Sequence, residues 1–225
     1  MPSEIISDNN KNNLFSEDIK VWLNEVMVYK PVIGAIVMNC NPFTYGHRYL
    51  IEKAAEECDK LFVFVVEEDK SIFKFDDRIE LVKRGTSDIS NVVVIPSGKF
   101  MISSLTFTDY FNKSEIQDKI IDPSMDVEIF AKYIAPAMGI TVRFAGEEPL
   151  DNVTRQYNET MKRILPKRGI NFKTIVRKEA GGEPISASRV RKCLEMKQWD
   201  EIRKLVPDAT FDFLYKNYNC NIENR

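Results

Sequence analysis

The chain contains one histidine, His47, within Asn41-Pro42-Phe43-Thr44-Tyr45-Gly46-His47. The apolar run Val32-Ile33-Gly34-Ala35-Ile36-Val37-Met38 precedes this segment, and an apolar-periodic stretch with Leu50, Ile51, Ala54 and Ala55 follows it. The order is strand, tight loop, helix start. Backbone N–H groups at a helix N-terminus point toward an anion, and the helix dipole favours negative charge there. A threonine hydroxyl, an imidazole and bare amides at such a junction make a phosphate cradle. Thr44 and His47 stand three residues apart, so both can face one ligand. Gly46 lets a nucleotide approach the backbone without a Cβ clash, and Asn41, Pro42 and Phe43 are expected beside it. A lone histidine in an arbitrary place is more often an unliganded residue; its position at a strand-to-helix switch is what favours a ligand role. The loop lacks both G-x-x-x-x-G-K followed by Ser or Thr and G-x-G-x-x-G, so it is neither a Walker P-loop nor a dinucleotide fingerprint.

A second constellation, Ile185-Ser186-Ala187-Ser188-Arg189-Val190-Arg191, follows Gly181-Gly182-Glu183-Pro184. Ser186 or Ser188 is a natural N-cap, and Arg191 stands one turn into the helix on the face of Ser188. Hydroxyls and a guanidinium at a helix start suit triphosphate oxygens. Taken alone, the segment reads as well as an ordinary capped helix with solvated arginines. Gly181 and Gly182 read as hinges for it. Gly146 lies just past the fourth strand, where nucleotide and second substrate should meet. Glu147 and Glu148 beside it read as general bases, adenosine contacts or a solvated acidic loop. Arg78 and Arg155 are substrate-contact candidates, with surface ion pairing as the competing role for Arg78. Cys40 lies in the first loop, but an attacking thiolate needs a partner that lowers its pKa, so it is not taken as a nucleophile.

These side chains need elements to carry them. Residues 1–15 read as a tail, and a short helix follows with Ser16 as N-cap and Ile19, Trp22, Leu23 and Val26 on one face. Pro31 marks a boundary, giving an N-terminal segment over 1–30 and one domain over 31–225. Strands are expected over 32–38, 61–66, 92–95, 140–145 and 171–176. Helices are expected over 46–57, 76–84, 126–138 and 151–164, with two or three more at the C-terminus. The strand over 61–66 is apolar at every position, as burial on both faces requires. Such alternation means an α/β fold with a doubly wound parallel sheet. Ligands bind there beyond the carboxyl ends of the strands, near the topological switch point. The loops over 39–47, 67–75, 96–106, 146–150 and 177–186 therefore matter most. The stretch over 99–125 has no clear pattern. Its aromatics Phe100, Phe107, Tyr110 and Phe111 read as core, and Trp199, Phe211 and Phe213 read as terminal helices packing on the sheet.

Composition sets outer bounds. With 225 residues and 44% hydrophobic content, the chain can bury a sizeable core. A net charge of -2 argues against a general nucleic-acid binder. No apolar run has membrane-spanning length, and the polar start is unlike a signal peptide. Cys40, Cys58, Cys193 and Cys220 form no C-x-x-C pair, and with a single histidine a structural zinc site is not expected. Free thiols point to a cytoplasmic protein.

Together, T-x-G-H after the first strand and I-S-x-S-x-x-R near the C-terminus form the paired signature of the HIGH-type nucleotidyltransferases. From Val32 to Tyr215 the chain resembles the catalytic, C-terminal part of the citrate (pro-3S)-lyase ligase family. The stretches that carry the resemblance include Ile33 to Thr44, Gly46-His47-Arg48-Tyr49-Leu50-Ile51, Glu68-Asp69, Lys83-Arg84-Gly85-Thr86, Tyr133-Ile134-Ala135-Pro136-Ala137, Gly146-Glu147-Glu148-Pro149, Thr154-Arg155-Gln156-Tyr157-Asn158 and Pro184 to Arg191. The resemblance implies a Rossmann-like nucleotidyltransferase fold with C-terminal helices. It implies an ATP-dependent ligase that activates acetate as an acyl-adenylate and acetylates the prosthetic-group thiol of the citrate lyase acyl carrier subunit, releasing AMP and pyrophosphate.

In such a reaction His47, Thr44 and Arg191 are expected to act in catalysis. Asn41, Pro42, Phe43, Gly46, Gly146, Glu147, Ser186 and Ser188 are expected to hold ATP, and Arg78 and Arg155 the substrate. Mg²⁺ is expected to ride on phosphate oxygens and water, with no protein ligand. Members of the family carry an acetyltransferase-like domain ahead of this part, and the residues before Val32 are too few for one. That leaves a short ligase, or a relative with another acceptor. The alternatives are an adenylyl- or cytidylyltransferase acting on a small phosphorylated metabolite, and a nucleotide-binding module without catalysis.

Overall fold

The computed structural model describes residues 8–27, 30–67, 71–103, 105–107, 122–148 and 151–219. The chain divides into two compact units, Met1–Pro31 and Val32–Arg225. The first holds helix α1, Asp8–Met27. It begins well before Ser16, which is therefore interior to the helix and not its cap. Asn and Asp are weak helix formers, but extending an established helix through them costs only their small propensity differences.

In the second unit, β1 (Ile33–Met38), β2 (Lys60–Val65), β3 (Val92–Pro96), β4 (Val142–Gly146) and β5 (Asn171–Ile175) form a five-stranded sheet of order β3-β2-β1-β4-β5. Every pairing is parallel, with Gly34 opposite Val142 and Ala35 opposite Arg143. The chain steps outward from β1 to β3 and returns to β4, so the switch point lies between β1 and β4. This is the doubly wound parallel sheet expected from the sequence.

Side chains alternate across the sheet with period two. Ile36, Val63 and Val65 pack with Ile51, Ala54, Leu81 and Val82 from α2 (Tyr45–Ala55) and α3 (Phe75–Arg84). Ala35 and Phe64 pack on the other side with Phe130, Val153 and Met161. That second layer consists of α4 (Ser124–Ile129), a π-turn (Phe130–Ile134), α5 (Ala135–Met138) and α6 (Asn152–Ile164). The single helix expected over 126–138 is thus segmented. Pro136 has no N–H to give to the turn before it, and Ala135 N–H reaches back to Phe130 O, a five-residue step.

The stretch after β3 forms a short 3₁₀ turn, Gly98–Phe100. Met101, Ile102 and Phe107 enter the core, but Phe100 is 51% exposed, contrary to its expected core role. Such a turn is too short to give all its side chains one inward face. Tyr110 and Phe111 lie outside the described residues, as do Glu68, Asp69, Pro149 and Cys220.

After β5, strands β6 (Glu179–Ala180) and β7 (Glu183–Pro184) form an antiparallel hairpin. Gly181 and Gly182 are its turn, at φ +68° and +78°, the positive values that a two-residue hairpin turn demands. The pair read as hinges thus closes a hairpin. Helices α7 (Ala187–Glu195), α8 (Trp199–Leu205) and α9 (Asp208–Tyr218) complete the unit. They do not simply lie on the sheet, as expected. Ile185, Val190, Ile202, Leu205 and Leu214 form a separate cluster with Phe73, because three short amphipathic helices bury their stripes best against one another. Among the described residues no helix is long and apolar enough to cross a membrane.

Candidate active site

The loop from β1 into α2 is organised around His47. Thr44, fully buried, is the N-cap of α2, and its Oγ1 accepts from His47 N at 3.3 Å. The reciprocal half of this capping box is unusual, because Thr44 N donates to His47 Nδ1 at 3.1 Å. A glutamate or glutamine normally fills that place. Thr44 Oγ1 also lies 2.9 Å from Nδ1. Since a backbone N–H can only donate, Nδ1 is an acceptor, and the neutral ring carries its proton on Nε2. Phe43 stacks on the ring with centroids 5.9 Å apart and planes 15° apart. Burial first, and the Arg177 guanidinium second, push the His47 pKa down to about 4. His47 is therefore a neutral hydrogen-bond donor at physiological pH.

The second motif comes to the same place. Ser186 caps α7, accepting from Arg189 N at 3.1 Å. Arg191 donates to Ser188 Oγ at 3.0 Å and to the backbone oxygen of Asn41 at 2.6 Å, so the start of α7 is bonded to the β1–α2 loop. Gly46 seals the junction. A Cβ there would lie 2.5 Å from Ile185 O. Gly46 is thus needed for the approach of another stretch of backbone, whereas the sequence suggested the approach of a nucleotide. Arg189 turns away and donates to Ala180 O at 2.8 Å, pinning the hairpin.

Both helix starts open into one cavity of about 1130 Å³ at the carboxyl edge of β1 and β4. Ligand pockets usually span about 300–1,000 Å³, so there is room for a nucleotide with a second substrate. Of the expected site residues, Asn41, Thr44, Gly46, His47, Gly146, Ser186, Ser188 and Arg191 line it. Pro42 and Phe43 do not; they are buried beneath the loop. Glu147 is exposed, and its carbonyl accepts from Arg177 Nε at 2.7 Å. Glu148, ion-paired with Arg177, takes the wall position instead.

Arg78 requires a correction. It is fully buried and absent from the cavity wall. Its Nη1 donates to Asn39 O at 2.8 Å and Val66 O at 2.7 Å, and its Nε to Phe73 O at 3.0 Å. Carbonyls beyond the ends of β1 and β2 have left the strand ladder and need donors; Arg78 supplies them, which makes it neither a surface pair nor a substrate contact. Arg155 is exposed, bonded to Asn152 Oδ1 at 2.8 Å, and also off the wall.

Besides Arg143 on β4, three basic residues that line the cavity were not singled out from the sequence: Arg177, Lys178 and Lys192. Arg177 and Lys178 stand just past β5, after Val176, in a loop that parallel-sheet logic already marked, so their place was recoverable. Cys40 is buried at φ +52°, and burial pushes its thiol well above the usual range despite nearby Arg78. Among the described residues no three His, Cys, Asp or Glu side chains gather as a cation site.

The family model for the citrate lyase ligase C-terminal domain matches residues 33–214. The chain belongs to the citrate lyase ligase family. It is 44% identical over 186 residues to the citrate (pro-3S)-lyase ligase of Klebsiella pneumoniae, covering 81% of this chain and 54% of that protein. The Escherichia coli K12 ligase is likewise 44% identical over 187 residues, covering 81% of this chain and 53% of that protein. The chain thus spans about half the length of the curated relatives it matches. Among solved structures, a bifunctional NMN adenylyltransferase/ADP ribose pyrophosphatase from Francisella tularensis superposes with a TM-score of 0.50 at 14% identity, covering 85% of this chain and 51% of that one. At that identity the likeness concerns the fold alone, a Rossmann-like parallel sheet.

Proposed function

We propose that this ligase-family unit binds ATP across the switch point and adenylates acetate. The acetyl group then passes to the prosthetic-group thiol of the citrate lyase acyl carrier subunit, with AMP and pyrophosphate as nucleotide products. One observation carries the reading. A neutral His47 with Nδ1 occupied lines the same cavity as Ser186, Ser188 and Arg191, which approach from a second helix start. Donors thus flank a phosphate chain from two sides.

A carboxylate oxygen attacks the α-phosphorus, and the bond to the bridging oxygen of pyrophosphate breaks. Such a displacement leaves the protein mainly positioning and charge stabilisation. His47 Nε2–H donates to α-phosphate oxygens, and Ser186, Ser188, Arg191 and Lys192 hold the β- and γ-phosphates. Thr44 orients the imidazole. A divalent ion accompanying ATP would be held by phosphate oxygens and water and would neutralise the leaving pyrophosphate. The carrier thiolate then attacks the acyl carbonyl carbon, and AMP leaves. Cys40, buried with a raised pKa, is not that thiol.

Chromatography of the nucleotide products tests the reading. ATP, Mg²⁺ and acetate, with the deacetylated carrier subunit, should yield AMP and pyrophosphate. ADP as main product would reject it. AMP and pyrophosphate formed only with a different acceptor would keep the adenylation chemistry and discard the citrate lyase role.

A further inference from the structure

The inner wall of the cavity holds a charge that the nucleotide does not use. Arg143, on β4, is 3% exposed and lines the cavity, yet its Nε and Nη1 have no hydrogen-bond partner among the described residues. Buried donors are nearly always paired, so two idle ones on one guanidinium demand a reason. The guanidinium carbon lies 4.6 Å from the ring centre of Phe130, the first residue of the π-turn. That ring covers one face of the guanidinium plane and leaves its edges for a ligand.

The acidic group that balances Arg143 does not bond to it. Asp126 is fully buried, and its Oδ1 accepts from Ile102 N and Thr106 Oγ1, each at 2.6 Å. Its Oδ2 accepts from Tyr157 Oη at 2.6 Å. These donors occupy the carboxylate, so Asp126 acts on Arg143 only through space. Burial lowers the Arg143 pKa, while Tyr157 and Asp126 oppose the fall; a guanidinium nonetheless stays charged. The arrangement keeps a cation inside the protein with its Nε and Nη1 donors unspent. The same cavity is also lined by Val37, Ile102, Val153 and Met161, which pack in one cluster with Phe130, the ring over Arg143.

We infer that Arg143 binds the carboxylate of the acyl substrate, a short monocarboxylate whose alkyl end rests against Val37, Ile102, Val153 and Met161. The assignment rests on the acyl-adenylation reading above. A planar guanidinium fork matches a carboxylate better than a single point charge does. One carboxylate oxygen stays bonded to Arg143 while the other forms the new bond to the α-phosphorus. Pyrophosphate leaves with the electron pair of the broken P–O bond, and Arg143 keeps its proton throughout.

The test is acetate-dependent exchange of labelled pyrophosphate into ATP, in wild type, Arg143→Met and Arg143→Lys. Arg143→Met should raise the acetate KM by about tenfold or more, the size of a lost bond to a charged group, with the ATP KM changed by no more than about twofold. Arg143→Lys should recover part of the loss. An unchanged acetate KM in Arg143→Met, or acetate and ATP KM rising together, would overturn the assignment. If neither variant folds, the wild type decides. In protein labelled with ¹⁵N-arginine, acetate should shift a solvent-protected Nε–H resonance and acetamide should not; no such shift would also overturn it. Wild type that shows this shift but no acetate-dependent exchange would reject the adenylation reading and leave the carboxylate site standing.

Discussion

At the scale of single residues, the site turns on which nitrogen of His47 carries the proton. Thr44 N–H settles it by donating to Nδ1. Replacing His47 with Ala should lower turnover by about a hundred- to a thousandfold, the usual cost of one charge-stabilising donor. ATP affinity should change far less, because that donor matters most as charge shifts in the transition state. Equal losses in turnover and in ATP binding would make His47 a mere ground-state contact. The pKa of about 4 adds a pH prediction with a definite sign. The unfolded chain binds a proton at His47 below 6.5, whereas the folded protein does not until about 4. Stability from this group is therefore intact above 6.5 and falls as pH drops through that window. Denaturant melts at about pH 7 and about pH 5 should diverge more for wild type than for His47→Gln; an equal divergence would place the proton elsewhere. His47, Ser186 and Arg191 were legible in the sequence because each stands at a strand–helix junction with a distinct chemistry. Arg78 and Arg143 were not. Spacing tells that a residue sits in an inward helix or strand position, but not whether a buried guanidinium finds carbonyls to satisfy it, as Arg78 does, or is left with idle donors.

At the scale of elements, the proposed catalytic geometry depends on two helix starts being held against each other. The starts of α2 and α7 meet where Gly46 faces Ile185 O, and Arg191 bonds across to Asn41. Gly46→Ala should push β7 and α7 away from α2. A Cβ at 2.5 Å from a carbonyl oxygen has no rotamer to escape into. Activity should fall at least about tenfold. The five-strand sheet itself should still unfold cooperatively, because Gly46 lies outside both sheet cores. Full activity in Gly46→Ala would show that the two starts need not touch. The strands and the helices α2, α3 and α6 could be read from hydrophobic period and turn residues, since local pattern and burial agree there. The segmentation around Pro136 could not, because loss of one N–H bends a helix by an amount that packing decides. The turn at Gly181-Gly182 was visible as a glycine pair, but whether such a pair bends or hinges depends on flanking contacts such as Arg189 to Ala180 O.

At the scale of the whole unit over Val32–Arg225, the sheet and the C-terminal helices have separate core clusters that share one cavity. Two clusters flank the sheet, and the third, with Ile202, Leu205 and Leu214, belongs to α7, α8 and α9. The sequence pattern announced three helices but not this separate core, since a helical stripe does not say which partner will cover it. The proposed phosphate cradle draws on both: His47 from the helix beside the sheet, and Ser186, Ser188 and Arg191 from the terminal group. A triphosphate gripping both should join them and stabilise the folded state by about 2.7 kcal/mol at a hundredfold excess over its Kd. Hydrogen exchange followed by mass spectrometry reads this directly. ATP with Mg²⁺ should slow exchange over 39–47 and 185–191 together, and acetate alone should slow neither. The turn at Gly181 and Gly182, which lies off the cavity wall, should exchange at the same rate with and without nucleotide. Protection confined to 39–47 would mean that the terminal helices do not bind the phosphates, and it would remove Ser186, Ser188 and Arg191 from the proposed reaction.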